Sequence, residues 1–179
     1  MQSKKINHSG IAHRFSRQCG ASLLEGIAYL GIAAIVVLGA VSLLTGAFGS
    51  AKANQTTEEL IALRTSVRKL YAGQAYGAAG LLPQLNAARA VPNTLVPGAN
   101  NTLTNGWAGA VTVTGGGGTF AISYANVPQD VCVSVLSGSN GWTQVAVNGA
   151  AAITVFPITA AVAAGACAAG GNAMVFTAT

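Results

Sequence analysis

The sequence predicts an α+β fold in which a long N-terminal helix packs on an antiparallel β-sheet. Three observations lead there. Residues 22–76 carry a helical pattern, apolar on all sides at first and amphipathic later. Residues 107–179 alternate apolar and polar positions in short runs rich in β-branched and aromatic residues. Between them, 77–106 holds three prolines and many Gly and Asn residues, and reads as a connection.

The chain opens with a basic, polar stretch. Lys4, Lys5, Arg14 and Arg17 all precede Gly20 and account for most of the net charge of +5. From residue 21 onward Lys52, Arg64, Arg68, Lys69 and Arg89 stand against Glu25, Glu58, Glu59 and Asp130, so the remainder is close to neutral. The basic balance therefore belongs to the leader and does not argue for a nucleic-acid partner. Charged residues make up 7% of the chain, far below the usual quarter, which sets it apart from ordinary cytosolic enzymes.

After Gly20 the character changes. Between Glu25 and Lys52 no residue is charged. A helix of that length spans roughly 39 Å, enough to cross a bilayer. With the basic cluster on its N-terminal side, the positive-inside rule puts the N-terminus in the cytoplasm and the C-terminus outside. A secretory signal with cleavage near 45–53 and a plain single-pass anchor both compete, but the first is short for this run and the second leaves Glu25 without a purpose. Ser42, Gly46 and Ser50 form a row of small residues along which a second helix can approach. Leu60, Leu63, Val67 and Leu70 then supply an amphipathic stripe, with Glu58, Glu59, Arg64, Arg68 and Lys69 assigned to the solvated side.

The connection over 77–106 is compatible with one short helix at 82–89. "WAGAVTVT" and "TFAISYA" read as strands joined by "GGGG" at 115–118. No Lys follows those glycines and no helix opens there, so they mark a hairpin tip and not a phosphate loop. Pro128 and Asp130 begin a short helix that carries Cys132. "WTQVAVN" is the next strand, "ITAAVAAGACAAGG" a small-residue helix or loop bearing Cys167, and "AMVFTAT" the last strand. Trp107 and Trp142 each follow a Gly at an expected strand start, which favours packing over a sugar-binding platform.

Cys19 lies in the leader. If the leader is removed, Cys132 and Cys167 remain as an even pair, which in an exported domain reads as a disulfide; two buried free thiols are the alternative. Both histidines, His8 and His13, are also in the leader. Nothing after Gly20 offers a Cys–His or Ser–His pair or a metal-ligand cluster, so no catalytic residue, cofactor or metal is expected. Glu58 and Glu59 are helix neighbours and not a facing acid/base pair.

A basic leader ending in Gly20, a new start at Ala21, a long apolar helix and Glu25 as its fifth residue together resemble the class III signal of type IV prepilins. The 20-residue leader and a first residue other than Phe look like the type IVb branch. Within it the chain is similar to the major pilins of thin conjugative pili and related enterobacterial type IVb pili. "YANVPQDVCVSVL" resembles the family's strand followed by a short helix with the first disulfide Cys. Unlike many relatives, the apolar helix contains no Pro.

The resemblance implies a pilin fold with a disulfide-bounded C-terminal region. It divides the chain into a leader at 1–20, a transmembrane and assembly half-helix at 21–51 and a globular head at 52–179. It implies cleavage between Gly20 and Ala21 by a prepilin peptidase and residence in the inner membrane of a Gram-negative bacterium. Polymerisation by the inner-membrane assembly machinery would follow, giving a helical homopolymer outside the cell. Glu25 would serve assembly, and Cys132–Cys167 would close the head. The expected function is the major subunit of a type IVb pilus used for adhesion, aggregation or conjugative mating. A pseudopilin of a type II secretion-like system and a minor or tip pilin are the alternatives. A pseudopilin commonly has Phe after the cut and a calcium loop, and Asp130 as the lone acid of the C-terminal half is too little for that site.

Overall fold

In the computed structural model, which describes residues 22–179, the chain divides into two units. Described residues up to Ser42 belong to the first and Leu43–Thr179 forms the second. Helix α1 runs Leu23–Leu70 without a break, through all five of its glycines. Each such Gly costs about 1 kcal/mol relative to Ala, a cost that apolar neighbours on every side of the run offset when the helix is buried or in lipid.

The expected helix to about residue 76 stops at Leu70. Gly73 adopts φ +76°, a left-handed conformation that a helix cannot continue through. The chain then folds back, with the Tyr76 ring packed at a tilt against Tyr71 and Phe120 at centroid distances of 5.7 and 4.9 Å.

Helix α2 (Leu82–Ala87) and two very short strands, β1 (Val96–Pro97) and β2 (Leu103–Thr104), occupy the connection. Next come β3 (Ala110–Gly115), β4 (Phe120–Val127), α3 (Gln129–Gly138), β5 (Gln144–Val147), α4 (Ala160–Ala166) and β6 (Asn172–Ala178). The strands form one antiparallel sheet in the order β1-β2-β3-β4-β6-β5. β4 lies between β3 and β6, so the last strand of the chain inserts beside the longest one.

Period-two alternation decides which side chains meet the helix. Phe120, Ile122 and Tyr124 of β4, Val111 and Val113 of β3, and Met174 and Phe176 of β6 are all buried. They form one core with Ala53, Leu60, Leu63 and Val67 of α1. Burying these aliphatic and aromatic side chains is worth roughly 1.5–3 kcal/mol each before chain entropy is counted.

The glycine tip between β3 and β4 is held against the chain after α1. Tyr76 N donates to Gly117 O at 2.9 Å and Gly117 N donates to Gly77 O at 2.7 Å. At Gly109, before β3, a β-carbon would fall on the main chain of Ala125, so only Gly permits that approach.

Candidate functional site

The residues expected to carry function fall on α1 and on the pair of small C-terminal helices. In the first unit, the described residues belong mainly to the apolar end of α1. Leu23, Ile27, Leu30, Ile35 and Leu38 are exposed, Leu23 at 84%. This helix is long and apolar enough to cross a membrane. Glu25 sits in its first turn, where the helix dipole favours a negative charge. Its side chain is exposed, and nothing among the described residues pairs with it. The junction between Gly20 and Ala21, like Cys19, lies outside the described residues.

In the second unit, Cys132 in α3 and Cys167 at the end of α4 are joined by a disulfide across 35 positions, with Cα atoms 6.1 Å apart. Thr159 caps α4 by accepting from Val162 N at 3.4 Å, which fixes where the helix begins and so where Cys167 falls. Gln129 Nε2 donates to the carbonyl of Cys167 at 3.0 Å, a second tie between the two helices. Asn172 Nδ2 donates to the carbonyls of Val127, Ala168 and Gly170, and so anchors the loop that follows the disulfide.

The assignment of Glu59 to a solvated face is overturned. Glu58 is exposed, but Glu59 is buried at 4% exposure. Adjacent helix residues point about 100° apart, and Glu59 shares the sheet-facing stripe with Thr56, Leu60 and Leu63. Its carboxylate is satisfied on both oxygens: Gln55 Nε2 donates to Oε1 at 2.8 Å and Tyr124 Oη donates to Oε2 at 3.2 Å. Lys52 Nζ donates in turn to Gln55 Oε1 at 3.3 Å. Burial, and then the charge of Glu59 and the hydrogen bond to it, push the Tyr124 phenol well above the usual tyrosine range. The three- and four-residue spacing from Thr56 to Leu63 was the available signal; the charge of Glu59 masked it.

A second cluster was also missed. Arg64 Nη1 donates to the carbonyls of Asn140 and Gly141 at 3.0 and 2.8 Å, and its guanidinium lies 4.8 Å from the centre of the Trp142 ring. Burial, then the nearby Arg68, lower the pKa of Arg64. Trp142 also packs on Phe176 at 5.1 Å. It is buried in the core, whereas Trp107 sits in the turn before β3 with its carbonyl accepting from Asn126 Nδ2 at 2.6 Å. These contacts staple α1 to the α3–β5 loop.

Among the described residues no three His, Cys, Asp or Glu side chains come together as a metal site. In the second unit, α1 is tied to the sheet and to the α3–β5 loop by a buried carboxylate and an arginine, and α3 is joined to α4 by a disulfide.

No curated protein matches this chain. The sequence model of one protein family, described as PilS N terminal, matches residues 50–179. That span contains the clamped half of α1, the whole sheet and the disulfide, and since it covers most of the chain, the protein belongs to this family of pilins, the structural subunits of type IV pili.

Proposed function

We propose that this pilin is the major subunit of a type IVb pilus. The observation that supports the reading best is the pairing of an uncovered apolar helix with a self-contained head. From Leu23 to Phe48, α1 presents fourteen large apolar side chains to solvent. Such a surface requires either lipid or other apolar helices around it. A subunit that waits in the inner membrane and then enters a helical homopolymer meets both needs in turn. In this reading a prepilin peptidase removes residues 1–20 at Gly20–Ala21. The inner-membrane assembly machinery then draws the subunit into the filament, whose heads face the outside of the cell. Adhesion, aggregation or mating-pair formation would be the work of the finished pilus.

The test is a shear preparation of cell-surface filaments. The expected result is a filament in which this chain is the main protein and in which antibody to the head labels the whole length. Labelling at the tip alone would assign it to the minor pilins, and a chain confined to the cell envelope would assign it to a secretion pseudopilus.

A further inference from the structure

Three Asn–Gly pairs lie in the head, at 105–106, 140–141 and 148–149. In such a pair the Gly has no β-carbon to shield its nitrogen from the Asn side-chain amide. The fold treats the three pairs differently. Asn105 is buried; its Nδ2 donates to Ala125 O at 2.8 Å, and its Oδ1 accepts from the main-chain nitrogens of Trp107 and Gly109. Asn148 is exposed, but its Nδ2 donates to Asn172 Oδ1 at 2.8 Å and its Oδ1 accepts from Ala173 N at 2.9 Å. Neither amide can turn toward its Gly without giving up those bonds.

Asn140 is exposed, and among the described residues its side-chain amide has no hydrogen-bond partner. It stands in the loop between α3 and β5, beside a cavity of about 230 Å³ that Arg64, Ser139 and Trp142 also line. The amide therefore has room to turn, and water can reach it. The main-chain nitrogen of Gly141 likewise donates to no described residue. Arg64 Nη1 donates to the carbonyl oxygen of Asn140 at 3.0 Å, and that oxygen belongs to the same peptide group as the Gly141 nitrogen. A cation there draws electron density through the amide resonance and stabilises the deprotonated nitrogen, the form that attacks.

We propose that Asn140–Gly141 is a site of spontaneous deamidation, promoted by Arg64. The Gly141 nitrogen gives its proton to solvent and bonds to Cγ of Asn140. The Cγ–Nδ2 bond breaks, and Nδ2 takes a proton from solvent and leaves as ammonia. A cyclic imide then joins the Gly141 nitrogen to both carbonyl carbons of residue 140. Water adds to one of these carbons and its bond to nitrogen breaks. Addition at Cγ gives aspartate. Addition at the main-chain carbon gives isoaspartate, in which the chain runs through Cγ and the former main-chain carbonyl is a carboxylate. Arg64 already donates to that main-chain oxygen, where the negative charge of this second route develops, so it favours isoaspartate and then pairs with its carboxylate. No residue from 131 to 179 has a charged side chain, so the conversion places a new charge in an otherwise uncharged stretch.

The test uses the detergent-solubilised full-length chain, held at neutral pH and physiological temperature. Chymotryptic peptides are followed by mass spectrometry, and isoaspartate is counted with an isoaspartyl methyltransferase. Position 140 should convert while Asn105 and Asn148 stay intact. In urea, with the disulfide reduced, all three should convert at similar rates, because only local sequence then acts. Arg64→Met should slow conversion of the folded chain about fivefold and lower the share of isoaspartate, with no effect in urea. Arg64→Lys, which keeps a cation, should retain part of the rate. If Arg64 only held the loop still, its removal would speed the reaction, so the sign of the change separates the two roles. The comparison of the three pairs needs no variant and stands even if Arg64→Met does not fold. A folded chain that keeps Asn140 while the unfolded chain converts, equal conversion at 105 or 148, or a faster Arg64→Met would overturn the proposal.

Discussion

Tyr124 Oη on β4 donates a hydrogen bond to Glu59 Oε2 on α1 at 3.2 Å, across 65 residues of sequence. Both side chains are buried, Tyr124 completely. The bond places the one buried carboxylate of the described head against the middle strand of the sheet and so fixes how α1 lies on it. Replacement of Tyr124 by Phe keeps the ring and removes the donor, which leaves a buried carboxylate one partner short. The expected loss is about 1–3 kcal/mol of stability, read as a lower melting temperature of the detergent-solubilised chain. Glu59→Gln, which keeps an acceptor for Tyr124, should cost less than Glu59→Ala.

The same pair sets an alkaline limit. The Tyr124 phenol is raised from its ordinary value of 10.0, first by burial and then by Glu59. Above that ordinary value the unfolded chain releases the proton while the folded chain keeps it, so the unfolded state binds fewer protons and stability falls as pH rises. Below it this contribution is fully present. The melting temperature should therefore decline as pH climbs past about 10, and the decline should be shallower in Tyr124→Phe. Parallel pH profiles for the two proteins would discard this account.

Loss of the disulfide should be costlier. Cys132 and Cys167 close a loop across 35 positions between α3 and α4. In the chain-entropy model a loop of that size is worth about 3–4 kcal/mol. Apart from Val162, which is exposed, α4 is built of Ala and Gly and buries only Ala163, so little apolar surface replaces the bridge. Cys132→Ser and Cys167→Ser should each lower the melting temperature and the level of subunit in the membrane, and the double variant should be no worse than either. Equal stability with and without reductant in the wild-type protein would contradict this.

The fold was legible wherever a period repeated. The apolar run, the 60–63–67–70 stripe, and the alternation in 107–114, 119–125 and 173–179 became a helix and the strands β3, β4 and β6, the strands with bounds shifted by one to three residues. Strands β1 and β2 were not legible because two residues carry no alternation. The end of α1 was misplaced because Gly73 looks from sequence like the glycines that α1 tolerates; only its left-handed φ distinguishes it. Glu59 was misread because identity outweighed position: a carboxylate suggests solvent, and the partner that makes burial affordable is Tyr124, far away in sequence. The Arg64–Trp142 contact escaped for the same reason, since nothing local joins position 64 to 140–142.

Processing is the next expectation. Cleavage between Gly20 and Ala21 would remove Lys4, Lys5, Arg14 and Arg17 together with Cys19 and both histidines. Intact-mass analysis of filament subunits should find Ala21 at the N-terminus. Gly20→Leu should block the cut and leave a membrane-bound, unpolymerised precursor. Filament subunits that retain the leader, or that begin near Ala53, would remove the basis for the prepilin reading.

Glu25 completes the case. A lone ionised carboxylate inside hydrocarbon costs several kcal/mol, less near the interface. It stands in the first turn of α1 among exposed leucines and isoleucines, on the side where the basic leader would hold the chain in the cytoplasm. In the waiting monomer it can therefore reach the interface. In a filament the apolar helices pack on one another, and an unpaired charge buried there is strongly unfavourable. On the proposed reading, cleavage after Gly20 would supply a partner, the new α-amino group of Ala21. Pairing Glu25 of one subunit with that amine on its neighbour would be satisfied only at the correct axial step, and the expectation is that the charge selects register. Glu25→Ala and Glu25→Val should leave a subunit that is inserted, processed and folded, with its disulfide formed, yet poor at polymerising. Glu25→Asp should retain part of the activity, because the charge remains but its reach is shorter. The readouts are electron microscopy and shear fractionation beside a membrane-fraction blot of the cleaved chain. Normal piliation by both Glu25→Ala and Glu25→Val would show that the carboxylate is merely tolerated at the membrane edge.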